Sequence, residues 1–434
     1  MRKSTVFIQA IAMTILLTIM ACSNSPTFES LQVHGVAEPV ISLNGDWKFS
    51  MDPPEAFWGD EIDFTQWPDI QVPGECQMQG FAIRHDQPYV YKREFSIPAD
   101  FAGKQIFLVF HGVYSYARIW VNGEFIREHY GGFTKWDCDI TNHVIPGEKS
   151  ILTVEIVDRI DDISYASGYA KHQIGGILRD VELCALPGLN FSKYYFETEL
   201  DEAFRDAELK IFYELSSPSD ASVSVELFDA GQRSIAKSVR QDVPQVGQIS
   251  LNLEDPLKWD AEHPNLYTLV TYLSDGDEMV LSRTDKVGFR EVQVEGNRLL
   301  VNGRPVKLRG ADRHDIHPVL GRMTTPELDR EDVLLAKESN MNFIRTSHYP
   351  PSESFLRYCD EYGLYVEDET AVCFVHTHRS DKYRETGTSQ DDPGFTGRYL
   401  SQLKEMVDMH RNHPSVIIWS IGNENHYGRN FLKS

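Results

Sequence analysis

A chain of 434 residues has room for about three domains. Its 41% hydrophobic and 25% charged composition suits soluble globular domains with sizeable cores. With 65 acidic against 42 basic residues the net charge is −23; such a surface repels nucleic acid and anionic lipid headgroups, which argues against both as partners and leaves neutral ligands open.

The chain opens on Arg2-Lys3, runs mostly apolar from Val6 to Met20, and continues with Ala21-Cys22. The apolar run is short for a spanning helix and predicts an export signal over residues 1–21. Ile19-Met20-Ala21-Cys22 resembles a bacterial lipoprotein cleavage site, with lipid added to Cys22 after processing. Polar Ser23-Asn24-Ser25-Pro26 then begins a tether, residues 22–36. The plainer alternative is an ordinary signal peptide with an incidental cysteine. The lipoprotein reading places the protein outside the cytoplasm, in the bacterial periplasm or on the outer membrane or cell surface, held to membrane through the anchor alone. Cys76, Cys138, Cys184, Cys359 and Cys373 are odd in number and lack metal-like spacing, so neither a disulfide framework nor a zinc site is implied.

Residues 37–188 read as all-β. Ala117 to Val121 and Glu124 to Ile126 flank Asn122-Gly123, a hairpin signal because both turn residues tolerate positive φ. Further strand-like runs cover Ile106 to Phe110 and Ile151 to Val157, and the region closes near Gly175-Gly176-Ile177-Leu178-Arg179-Asp180-Val181-Glu182-Leu183. Short strands with short turns predict a sandwich or barrel. Residues 189–289 repeat the pattern: Val223, Val225 and Leu227 alternate with polar residues, Asp229-Ala230-Gly231 turns the chain, and Ile249, Leu251 and Leu253 alternate again. About a hundred such residues suit an immunoglobulin-like sandwich, here a spacer that fixes domain angles.

From residue 290 the pattern changes. A hairpin at Asn302-Gly303 leads into Gly310-Ala311-Asp312-Arg313-His314-Asp315, after which strands and helices alternate. Helices are predicted from about Pro326 to Ser339, Glu353 to Tyr362 and Gly394 to Arg411; strands at Phe343-Ile344, Leu364 to Glu367 and Val416 to Trp419. Four βα steps predict a parallel barrel, of which an eight-stranded form takes roughly 250 residues. Only four strands are found, so residues 290–434 read as an incomplete barrel and the sequence as a fragment of a longer protein or a truncated gene product. Val416 to Trp419, continuously apolar, is expected to be buried on both faces, with Trp419 in the core.

Chemistry concentrates at the predicted strand ends, where barrels build their sites. Gly422 ends the fourth strand and Asn423-Glu424 follow. A carboxyl group there can act as a general acid, and a neutral amide beside it can hydrogen-bond a substrate hydroxyl without competing for the proton. The alternative is a helix cap. Arg345 ends the second strand, His314 and His348 lie just past the first and second, and Asp368-Glu369 end the third. His376-Thr377-His378 is a weak ligand pair.

The long spacings carry a family resemblance. Arg411-Asn412-His413-Pro414-Ser415, three aliphatics, Trp419-Ser420, two residues and Asn423-Glu424 resembles the acid/base signature of glycoside hydrolase family 2. Asn342-Phe343-Ile344-Arg345-Thr346-Ser347-His348-Tyr349-Pro350, continuing to Asp360-Glu361-Tyr362-Gly363, resembles a second signature of that family. The resemblance implies a jelly-roll sugar-binding domain, an immunoglobulin-like sandwich and a TIM barrel. It makes Glu424 the acid/base of a retaining exo-β-glycosidase acting on terminal β-linked sugars. Asn423, Arg345, His348 and His314 become its supporting and sugar-contacting residues, and the nucleophile a Glu on a later strand, beyond Ser434. Arg345 is expected to hold that nucleophile ionised. The family's β-galactosidases also place a Glu-x-His pair after the third strand for magnesium and an aspartate in the jelly roll. Here Glu369 is followed by Thr370-Ala371-Val372-Cys373, and Ser167 to Ile174 contains no acidic residue. No metal ligand set and no cofactor is therefore assigned, magnesium is left open, and galactose specificity is open to the family's β-glucuronidase and β-mannosidase activities. A non-catalytic carbohydrate-binding lipoprotein is the rival reading, and the oligomeric state is left open.

Overall fold

The computed structural model describes residues 31–33, 35–36, 38–59, 61–159, 163–164, 173–218, 220–373, 390–425 and 428–433. Cys22, His376, His378 and residues 165–172 lie outside them.

The first domain is a jelly roll of two antiparallel sheets. One has six strands, in the order Asp69–Val72, Gly45–Ser50, Tyr89–Ser96, Lys149–Val157, Tyr116–Val121 and Glu124–Tyr130. The other has four, in the order Trp136–Asp139, Gln105–Phe110, Val181–Leu186 and Val40–Ser42. Gln105–Phe110 shows why these runs are strands: every second residue (Ile106, Leu108, Phe110) is buried while its neighbours are half-exposed. Trp47, Phe49, Tyr91 and Val154 of the larger sheet share one apolar core with Leu108, Phe110 and Leu183 of the smaller. Asn122 (φ 50°) and Gly123 (φ 79°) make the hairpin turn between Tyr116–Val121 and Glu124–Tyr130.

The immunoglobulin-like sandwich packs three strands, Phe191–Leu200, Ala207–Leu215 and Val246–Leu253, against a five-stranded sheet. The edge of that sheet departs from expectation. Leu31–Val33, in the stretch read as tether, is a strand antiparallel to Leu281–Arg283, with Val33 4% exposed. Two apolar residues at alternate positions suffice to dock on an open edge, and three residues leave almost no run for periodicity to reveal.

The barrel region begins with a three-stranded antiparallel unit, Val292–Glu295, Arg298–Val301 and Arg304–Pro305. Four parallel strands follow, β1 (Gly310–Arg313), β2 (Phe343–Thr346), β3 (Tyr365–Glu369) and β4 (Val416–Ser420), neighbours in chain order. Helix α1 (Pro326–Glu338) starts where the Thr325 side chain accepts the Leu328 amide and Pro326 fills the first turn. Helix α2 (Glu353–Tyr362) is capped by Ser352 and closed by Gly363 at φ 78°. Helix α3 (Thr396–His410) leads to β4. Val333, Ala336, Phe355, Leu356 and Cys359 of α1 and α2 pack on Ile344, Val366 and Val416 of the sheet. This is the first part of a TIM barrel.

Two expectations for β4 are corrected. Val416 is buried (2% exposed), but Ile417 and Ile418 are half-buried and Trp419 is 39% exposed, so the strand is not covered on both faces and Trp419 is not core. Among the described residues β4 pairs only with β3, and an edge strand has no neighbour to shield its outer side chains. All five described cysteines are buried, and none of them is in a disulfide.

Candidate functional site

Strand alternation sorts the charges at the carboxyl ends of the barrel strands. Glu367 and Glu369 on β3 share one face with Arg345, which pairs with Glu367 across the β2–β3 register. Asp368 points the other way, to the helix layer, where its carboxylate meets His410 Nδ1 at 2.6 Å with both side chains fully buried.

Glu369 is the hub of the inner face. Its side chain is 0% exposed, and its donors come from the ends of two neighbouring strands, β2 and β4. Oε1 lies 2.6 Å from His348 Nδ1, just past β2. Oε2 accepts from Arg345 Nε (2.9 Å), from Arg345 Nη2 and from the Ser420 hydroxyl at the end of β4 (2.7 Å). Burial alone would push this carboxyl up, but the donors from His348, Ser420 and Arg345 outweigh it and hold it below the ordinary carboxylate range. In return Glu369 raises the Arg345 guanidinium pKa despite its desolvation, with Asp312 and Glu367 at 3.8 and 3.7 Å adding to the effect.

Asn423 joins this cluster from the other side. Its side-chain oxygen accepts from Arg345 Nη2 (3.0 Å), its amide nitrogen donates to Cys373 Sγ (3.5 Å), and its backbone N–H donates to the Val372 carbonyl (2.9 Å). These contacts commit the side chain to Arg345 and Cys373 rather than to a helix terminus. Glu424 follows with φ 51° and an exposed side chain. His314 stands edge-on to His348, ring centroids 5.2 Å apart. Burial, then Arg322 and His348, lower its pKa to about 4, so it is a neutral imidazole at neutral pH.

The structure thus brings Arg345, His348, His314 and Asn423 to one place around Glu369, with Glu424 next along the chain. Cys22 lies outside the described residues. Arg345 has Glu369 as its close anionic partner. The signal for the hub was weak because its partners stand 21, 24 and 51 residues away. Among the described residues no group of three or more His, Cys, Asp or Glu side chains could hold a metal ion. Both Glu369 oxygens already face protein donors, so this carboxylate is not open to a magnesium ion.

The rest of the long motif before Glu424 is architecture. Arg411 pairs with Glu197 (2.8 Å) and lies over the Tyr195 ring; the Asn412 side chain accepts the Phe196 amide (3.2 Å). His413 and the Ser415 amide both engage Asp360 on α2, at 2.6 and 3.0 Å. Arg290 donates to the Pro414 and Val416 carbonyls, each at 2.8 Å. Arg411, Asn412 and Pro414 therefore dock β4 on the immunoglobulin-like sandwich.

Comparison with known proteins agrees with this architecture. The sugar binding domain of glycosyl hydrolases family 2 matches residues 40–187, the domain described as glycosyl hydrolases family 2 matches 189–290, and the family's TIM barrel domain matches 292–433. The chain is 33% identical over 422 residues to a β-galactosidase of Photobacterium profundum, covering 89% of this chain and 40% of that protein. To a β-galactosidase of Vibrio vulnificus it is 34% identical, covering 90% and 40%. The chain thus spans about two fifths of the length of the curated relatives it matches. Among solved structures, a β-glucuronidase from Ruminococcus gnavus in complex with uronic isofagomine superposes with a TM-score of 0.78 at 26% identity, over 91% of this chain and 69% of that one. Three domain matches in unbroken order, together with relatives aligned along nine tenths of the chain, place this protein in glycosyl hydrolases family 2.

Proposed function

We propose that the protein containing this chain is a retaining exo-β-glycosidase, β-galactosidase-like in its substrate, with Glu424 as its acid/base. The observation that carries the reading is the exposed carboxyl group of Glu424, one residue from an Asn423 bound into the Arg345–Glu369–His348 cluster at the strand ends. In the first step Glu424 gives its proton to the glycosidic oxygen as the bond to the anomeric carbon breaks, and a second carboxylate forms a glycosyl ester. In the second step Glu424 takes a proton from the attacking water, and the ester bond releases the sugar. The attacking carboxylate is assigned to a later barrel strand by family resemblance. Arg345 stays cationic, Glu369 anionic and His314 neutral at neutral pH, a layer of fixed donors and acceptors suited to hydroxyl groups.

The β-galactosidase relatives favour a galactoside. The likeness to the R. gnavus β-glucuronidase favours a second reading, a glucuronide. Hydrolysis of matched aryl β-galactosides and aryl β-glucuronides by the full-length protein separates the two.

Glu424→Ala in the full-length protein tests the mechanism. Cleavage of a natural glycoside, whose alkoxide leaves poorly without a proton, should fall by roughly 10²–10⁴-fold. A dinitrophenyl glycoside needs no proton, so its first step should be spared while the glycosyl-enzyme accumulates. Azide needs no general base and should restore turnover as the β-glycosyl azide. Equal losses on both substrates without azide rescue would return Glu424 to a structural role.

A further inference from the structure

The run Gly175-Gly176-Ile177-Leu178-Arg179-Asp180-Val181 has no part in the chemistry above, yet its arginine reaches out of its own domain. Arg179 is 10% exposed at its side chain and satisfies acceptors on three separate segments. Nη1 donates to the Phe133 carbonyl in the jelly roll (2.7 Å). Nη2 donates to the Pro350 carbonyl (2.7 Å) and lies 3.4 Å from an Asp315 carboxylate oxygen. Pro350 is two residues past His348, and Asp315 is the residue after His314.

Between these contacts, Tyr349 is sandwiched into the jelly roll. Its ring stacks on Phe133 with centroids 3.9 Å apart and planes 13° from parallel, and Arg179 lies over the same Phe133 ring. Tyr114, Phe133, Leu178, Tyr349 and Ala371 form one buried apolar cluster. The Tyr349 hydroxyl accepts the Asp315 backbone amide (3.0 Å), which ties the loop after β1 to the loop after β2. Both loops that carry a histidine to the sugar site are therefore held, within two residues of those histidines, by one arginine and one phenylalanine of the jelly roll, beside the barrel's own Arg313 on Asp315 and Arg322 on the Tyr349 hydroxyl.

We propose that Arg179 and Phe133 are positioning residues for sugar binding: they set where His314 and His348 stand, which makes the jelly roll a working part of the barrel's site. This rests on the glycosidase reading above. A guanidinium suits the task because its planar fork reaches a carboxylate and two carbonyls at once, which the single ammonium of lysine cannot do.

The test uses the full-length protein and the variants Arg179→Lys, Arg179→Ala and Phe133→Leu. Displacing the loops by fractions of an ångström should raise KM about 10–10²-fold for the arginine variants and less for Phe133→Leu. The loss should be the same for good and poor leaving groups, unlike that of Glu424→Ala, and guanidinium should partly restore Arg179→Ala. Titration with free galactose should weaken in parallel. Variants that stay folded by circular dichroism with wild-type KM and kcat overturn the proposal, as does a lowered Tm with unchanged KM. If the arginine variants fail to fold, Phe133→Leu, which keeps every Arg179 hydrogen bond, decides alone, and its wild-type behaviour overturns the proposal. A wild-type protein that neither cleaves aryl glycosides nor binds galactose sinks the glycosidase reading and this inference with it; an active wild type with unaffected variants sinks only the inference.

Discussion

Glu369 shows how a single buried charge can organise a site. Its carboxylate is out of solvent, and what keeps it ionised there is a ring of donors from the ends of β2 and β4. Glu369→Gln preserves shape but leaves Arg345 with Asp312 and Glu367, at 3.8 and 3.7 Å, as its anionic partners, and should cost about 3 kcal/mol at neutral pH. The sign of the pH dependence follows from the depressed pKa. Wild-type Glu369 contributes stability above its ordinary value of 4.5, and that contribution is lost as the pH falls through the lower folded-state value. Urea unfolding should therefore find the gap between wild type and variant wide at pH 7 and narrowing below pH 4.5. A gap that stays constant with pH would mean that the charge of Glu369 is not what stabilises the fold. The residues around this hub were legible because Arg345 and His348 stand within one contiguous motif. The hub was not, because nothing local in Asp368-Glu369 tells which of two neighbouring carboxylates turns inward; the alternation of β3 decides it.

At the scale of elements, legibility followed the length of the periodic run. Ala207–Leu215 buries every second residue over nine positions, and α2 carries both its cap residue and its terminal glycine. Such elements state their own boundaries. Leu31–Val33 does not, and β4, found within one residue of its expected bounds, does not state its burial, because the burial of an edge strand depends on which neighbour lies beside it, and the neighbour of Leu31–Val33 is 250 residues on. The leader is the opposite case, an element for which only sequence speaks. We propose that Cys22 is lipidated and begins the mature chain, since the apolar run ends in Ala21-Cys22 before polar residues. Mass spectrometry of the protein from its native host should find a diacylglycerol-modified Cys22 at the amino terminus. An unmodified Cys22, or a start elsewhere, would refute it.

In the whole molecule, both sandwiches contact the barrel region, the immunoglobulin-like one before β4 and the jelly roll at the loops after β1 and β2. The jelly roll also reaches α3: Thr134 donates to Glu405 (2.6 Å) and Gln402 to the Tyr130 carbonyl (2.9 Å). A retaining mechanism needs two carboxyl groups about 5–5.5 Å apart, both free to react. At the four described strand ends Glu369 is held by His348, Arg345 and Ser420, and Asp312 and Glu367 lie beside Arg345, so the attacking carboxylate is proposed to come from a later strand. The 434-residue polypeptide produced by itself should accordingly hydrolyse no aryl β-glycoside at a measurable rate. Turnover by the purified polypeptide, abolished by Glu424→Gln, would contradict this and require a nucleophile among the residues present.

The docking of β4 on the immunoglobulin-like sandwich also bears on the order of events during synthesis. Arg411 and Asn412 find their partners, Glu197 and Phe196, 214 and 216 positions back along the chain. Domains generally fold as units from the amino terminus while the ribosome is still adding residues. When the segment His410 to Ser415 emerges from the ribosome, its receptor surface has long been complete. β4 then meets a preformed template at Tyr195, Phe196 and Arg290 and takes its register from a finished neighbour, which spares the nascent barrel a search among misaligned strand pairings.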